Sequence, residues 1–200
     1  MKIRHAVLAF AALALPLVAC GADKETKVLS GYQLTPPPAV GTLSLPDASN
    51  GDADFTFVSQ PDRYLVVYFG YTSCPDVCPT TLAEVKKAFK QIGDQAEQVD
   101  VAMITVDPDR DAGDLLTRYV QSFIPAAHAL RTDDPAALEA VAKAFGASYT
   151  VTENDAGEIE VSHSGNLYVV DQNGDVVLQW PFGLKADAIA TDLEILFEKA

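Results

Sequence analysis

Residues 64–79, "YLVVYFGYTSCPDVCP", limit the fold more than any other stretch of the chain. The first eight are apolar without a break and rich in Val, Tyr and Phe. Apolar side chains on both faces of the pleat mean a strand buried on both sides, and such strands belong to sheets covered by helices. The second half places Cys74 and Cys78 four apart, each followed by a proline. A loop that leaves a central strand in this way lies where open α/β sheets build ligand sites, outside the carboxyl ends of the strands.

The flanking pattern agrees. "VDVAMITVD" (99–107) reads as a second buried strand, and between the two Leu82, Val85, Phe89 and Ile92 recur at helical spacing over residues 80–92. "TLSL" and "DFTFVS" alternate around Asn50-Gly51, a hairpin signal. Helices are predicted over 111–123 and 135–145, the second capped by Asp134, opened by Pro135 and ended by Gly146. "HALRT" and "ASYTVTE" read as strands, and "NLYVVDQNGDVVLQW" as a hairpin turning at Asn173-Gly174. A helix over 185–199 closes the chain. Parallel strands first and an antiparallel pair later describe an α/β sandwich around a mixed sheet.

Proline disfavours the α region for the residue before it, so both cysteines are expected to be extended. Cys78 is then the N-cap of a helix whose first residue is Pro79. Pro75-Asp76 suits the middle of a type I turn that brings the thiols together. Helix-terminal amides would favour thiolate and lower the pKa of Cys78 in particular.

Three uses of such a pair stand open. A structural disulfide would close a tiny ring and stabilise little. A redox pair fits the location, although thioredoxin-type motifs have two intervening residues and this loop has three. A soft-metal site needs a further ligand, and His163, between Ser162 and Ser164 in "EVSHSGNLYVVD", is the candidate; His128 reads as structural. Two thiolates and an imidazole favour copper or zinc. No fourth protein ligand of the kind structural zinc wants is evident, and three soft ligands suit Cu(I). Asp76 reads as a turn residue rather than a ligand.

The start of the chain has a different job. Lys2 and Arg4 precede an apolar run over 6–18 that is too short to span a bilayer comfortably and reads as a signal-peptide core. "LVAC" (17–20) looks like a lipobox, with cleavage before Cys20 and lipid on that cysteine. This divides the chain into a signal peptide (1–19), a lipidated cysteine with a Pro-rich tether (20–40), and a folded domain (41–200). The product is expected to be exported across a bacterial inner membrane and lipid-anchored on its periplasmic face. Cys74 and Cys78 then remain the only thiols, in an oxidising setting. The net charge of −14 becomes −16 once Lys2 and Arg4 are removed, a surface that repels nucleic acid and anionic lipid.

These residues together resemble the Sco/SenC copper-binding proteins of cytochrome c oxidase assembly. "YFGYTSCPDVCPTTL" is similar to the family's central motif, "VDPDRD" (106–111) to its second, and "VSHSGNLYVVDQNG" to its histidine segment. The resemblance covers most of the chain from about Val40. It implies a thioredoxin-like three-layer sandwich with an N-terminal β-hairpin extension and a late β-hairpin, and a monomer is expected. It also implies a copper ion, Cu(I) or Cu(II), held by Cys74, Cys78 and His163. The partner so implied is the copper-accepting subunit of the oxidase or another exported copper enzyme. The main function is then a non-enzymatic copper chaperone; the alternative is a thiol–disulfide oxidoreductase using Cys74 and Cys78. In the second motif, Asp107 is expected to end a strand, Asp111 to cap the next helix and Arg110 to pair with acids. The chain departs from the family in having a lipobox where many members carry a transmembrane helix, and Ser73 where histidine is common.

Overall fold

The computed structural model describes residues 27–199. The expected signal peptide and the expected lipidation site, Cys20, lie outside the described residues. The elements are β1 (Ser44–Asp47), β2 (Ala53–Thr56), β3 (Tyr64–Gly70), α1 (Val77–Ile92), β4 (Val99–Thr105), α2 (Gly113–Phe123), β5 (His128–Leu130), α3 (Pro135–Phe145), β6 (Tyr149–Glu153), β7 (Ile159–His163), β8 (Leu167–Val170), β9 (Val176–Trp180) and α4 (Ala186–Phe197). Seven strands form one sheet in the order β2-β1-β5-β4-β3-β8-β9, and β6-β7 form a separate ribbon. β3, β4 and β5 are mutually parallel, whereas β8 runs antiparallel to β3 and β9 to β8. The predicted mixed sheet and both expected hairpins are present.

β3 is central and every one of its residues is buried. Its pleat divides the core. On one side Tyr64 packs on Phe197 of α4 and its hydroxyl donates to the Leu196 carbonyl. On the other, Phe69 meets Phe145 of α3, which also contacts Phe57 and Tyr168 edge to face. The three layers are thus α1 and α4 on one face, the sheet, and α3 on the other. Burying a large aromatic contributes about 1.5–3 kcal/mol, so this Phe145 cluster fixes α3 firmly.

The first turns follow local chemistry. Asp47 accepts from the Ser49 amide and hydroxyl, from the Ala129 amide and from His128 Nδ1 at 2.7 Å. His128 is therefore structural, as its setting suggested, and ties β5 to the first hairpin. Gly51 takes the left-handed conformation that closes that hairpin. Asp134 and Gly146 cap the two ends of α3 as expected.

Two boundaries differ from expectation. α1 starts at Val77, not Pro79, and α2 starts at Gly113 with Ala112 at its N-cap, so Asp111 does not cap it. The expected tether also differs: its described part, residues 27–40, is laid against the domain. Tyr32 bridges Gln179 of β9, Ala39 bridges Asp175, and Val40 is fully buried. The cause is Asp192, a buried carboxylate in α4 that accepts from the Ser30 and Gly31 amides and from Trp180 Nε1. Three donors offset the cost of burying its charge.

Candidate metal centre

β3 ends at Gly70, and the loop after it carries Cys74 before α1 begins. Asp76 occupies the N-cap position, where its carboxylate accepts from the Thr80 hydroxyl. Cys78 is thus inside the first helical turn rather than at its cap. Pro79 is tolerated there because the first four helical N–H groups have no intrahelical partner to lose. The Cys78 amide is used differently: it donates to Cys74 Sγ at 3.3 Å. The helix terminus therefore serves the sulfur of Cys74.

Cys78 is fully buried and Cys74 is 8% exposed, and both are free thiols. Burial pushes the Cys78 thiol up to about 12, against the lowering expected from the helix amides. A helix terminus supplies about 0.3–1 kcal/mol to an exposed charge, too little to outweigh removal of a thiolate from water.

His163 closes the group. It is the last residue of β7, and the registers of β6-β7 and β3-β8 carry it back over the end of the central sheet. Its Nδ1 lies 3.1 Å from the Ser164 carbonyl, which assigns the proton to Nδ1 and leaves the Nε2 lone pair free. Nε2 stands 3.4 Å from Cys78 Sγ and 4.0 Å from Cys74 Sγ. Burial lowers the imidazole pKa from its ordinary 6.5, only partly opposed by the Ser164 and Phe69 carbonyls, which favours the neutral ring at pH 7. Tyr68 and Tyr71 hold it edge to face, with centroids 6.0 and 5.7 Å away.

All three donor atoms lie within 4.8 Å of one another. Bonds of about 2.3 Å to sulfur and 2.0 Å to nitrogen separate trigonal ligands by roughly 3.7–4.0 Å, so one ion fits among them. Among the described residues no fourth acid, cysteine or histidine joins the group, and Asp76 is turned toward Thr80 instead. Two thiolates and a neutral imidazole with no fourth ligand suit a soft monovalent ion better than structural zinc.

Asp111 has a role that its place in the sequence concealed. Fully buried, it reaches back from the loop between β4 and α2 and accepts from the Thr72 amide at 2.9 Å, from the Thr72 hydroxyl, and from the Thr105 hydroxyl at 2.6 Å. It ties the cysteine loop to β4 two residues before Cys74. Asp107 is held separately, by Arg110 and by its amide on the Thr105 hydroxyl. Asp111→Ala is expected to cost about 2–3 kcal/mol, because the buried Thr105 hydroxyl and the half-buried Thr72 amide and hydroxyl lose their shared acceptor. A denaturation midpoint within a few tenths of a kcal/mol of wild type would contradict this.

The sequence profile of the SCO1/SenC family matches residues 49–198. A Stutzerimonas stutzeri protein with a provisional copper-binding name is 34% identical over 139 residues, 69% of this chain and 67% of that protein. The chain spans about two thirds or less of the curated relatives it matches. Among solved structures, apo Sco1 from Thermus thermophilus is 30% identical, with a TM-score of 0.73 over 86% of this chain and 99% of that one. Copper-bound ScoI from Bradyrhizobium japonicum is 28% identical, with a TM-score of 0.65 over 76% of this chain and 96% of that one. Fold, motifs and profile agree: the chain belongs to the SCO1/SenC family.

Proposed function

We propose that the domain binds one copper ion through Cys74 Sγ, Cys78 Sγ and His163 Nε2, and passes it by ligand exchange to the dinuclear copper centre of cytochrome c oxidase. One observation carries the reading: the three soft donors converge within 4.8 Å with no fourth ligand among the described residues. An open side is what ligand exchange needs, since an incoming thiolate can bind before an outgoing one leaves. Export and a lipid on Cys20 belong to the same reading and would hold the domain beside a membrane-bound acceptor. No helix among the described residues is long and apolar enough to cross a membrane.

The thiol–disulfide alternative uses the same pair, with the same clients. Burial of Cys78 leaves only Cys74 to attack at neutral pH. A bound cation reverses that disadvantage, because a coordinating thiol is deprotonated outright. The convergence of His163 Nε2 on both sulfurs, which exchange does not need, favours the metal reading.

The test is a Cu(I) titration of the reduced domain (residues 24–200) against a competing chelator, with the released protons counted. One copper is expected per chain. Cys78, pushed up to about 12, gives up one full proton near neutral pH, and His163, neutral at pH 7, gives none. From Cys78 alone the apparent affinity then rises about tenfold per pH unit between roughly pH 7 and 8. At more acid pH His163 must also lose a proton, and the slope steepens. Absence of binding, or an affinity indifferent to pH, would defeat the three-ligand reading.

A further inference from the structure

We infer that the β6-β7 ribbon, with the cleft beneath it, is the docking surface for the copper acceptor, and that the acceptor presents an apolar side chain flanked by Lys or Arg. The inference rests on the copper-delivery reading above. Its first support is register. Tyr149 pairs with His163, Val151 with Val161 and Glu153 with Ile159, and directly opposed residues share a face. His163 is thus the inner end of a row that runs outward from the metal site, apolar through Val151, Val161 and Ile159 and acidic at its outer end, Glu153. The opposite face carries Thr150, Ser162, Thr152 and Glu160.

Tyr149 and Val161 pack against the core, but farther along the ribbon the row stays in solvent, leaving Val151 42% and Ile159 38% exposed. A two-stranded ribbon alone is marginal in water and gains from a partner on its apolar face. Beneath it lies a cavity of about 260 Å³ floored by Val106, Pro108 and Leu138 and bounded by Val151, Asp109 and Asp133. That volume takes one or two apolar side chains.

Charge selects the occupant. Residues 148–166 contain no Lys or Arg, while Glu153, Asp155, Glu158 and Glu160 are all exposed. None of these four forms an ion pair among the described residues. Such a surface repels a second copy of this acidic chain and anionic lipid alike, and steers a cationic protein toward His163.

The test maps the surface and the metal separately. The 15N-labelled, metal-free full chain in mild detergent is titrated with the soluble copper domain of the oxidase. Shifts are expected over 149–163 and 106–109, and they should weaken as salt is raised. Val151→Asp with Ile159→Asp should slow copper transfer at least about tenfold, while Glu158→Lys with Glu160→Lys should flatten its salt dependence. Both variants should keep wild-type copper affinity. Shifts centred on α1 and α4, no shifts, self-association through the ribbon, or wild-type transfer in both variants would each overturn the inference. A wild-type chain that binds no copper would instead defeat the metal reading, and the metal-free map would still decide where the acceptor docks.

Discussion

His163→Ala is expected to weaken Cu(I) binding by more than about 100-fold. Losing only the outer-shell partner of a metal-bound histidine typically costs 10–100-fold, and here the ligand itself is removed. The remaining Cys74 and Cys78 are still close, so weak two-coordinate binding persists rather than none. The ring also packs against Tyr68 and Tyr71, and each edge-to-face contact contributes about 0.5–1.5 kcal/mol, so some stability is lost as well. Added imidazole separates the two effects. It can enter the vacated space and recover part of the copper affinity, whereas a general loosening of the fold would not respond. Equal affinity in the variant and wild type, by chelator competition, would remove His163 from the site. Unimpaired reduction of a partner disulfide by the same variant, without copper binding in either protein, would favour the oxidoreductase alternative.

The parts of this molecule that sequence discloses are those coded by short-range rules. Continuous apolar runs gave β3 and β4, helical spacing gave α1, and Asp134-Pro135 with Gly146 bounded α3. The grouping of Cys74, Cys78 and His163 was legible because the chain offers so few soft ligands. What stayed hidden depends on distance. Thr72 and Asp111 are 39 residues apart, and no local pattern says that an acid after one strand will hold the loop after another. The proline rule misplaces Cys78 because it weighs only the residue before the proline, whereas the Cys74 sulfur supplies the Cys78 amide with a partner. Its burial, which reverses the sign of its pKa shift, comes from the packing of α1 on the sheet. The docking of residues 27–40 did leave a signal, an acid at Asp192 in the apolar row of "AIATDLEIL". A buried acid demands donors, but only the fold shows that they come from Ser30, Gly31 and Trp180.

Gly70→Ala is expected to damage stability and copper binding together. The backbone alone would welcome the change: Gly70 is not among the glycines with positive φ, and Ala is better than Gly in a strand by about 0.5–1 kcal/mol. The obstacle is what surrounds it. A Cβ there would stand 2.8 Å from Tyr68 Cε1, 2.9 Å from Cys78 Sγ and 3.0 Å from Met103 Cε. Of these neighbours only the Met103 methyl is the free end of a flexible chain. Tyr68 is fully buried, and Cys78 is fixed by the first turn of α1. The added methyl must therefore push Cys78 away from His163 or rotate Tyr68 out of its packing. Overpacking of this kind costs about 1–3 kcal/mol, read as a lower denaturation midpoint at unchanged m-value. Displacement of one thiolate should also lower Cu(I) affinity, by roughly tenfold for each 1.4 kcal/mol of lost bonding. The two readouts separate the possible accommodations. A lower midpoint with full copper affinity would mean that Met103 or Tyr68 gave way and the ligand stayed in place. A wild-type midpoint with wild-type affinity would mean that the strand end and α1 have room for a side chain, and that the tight seat of Cys78 against Gly70 is not what sets the ligand geometry.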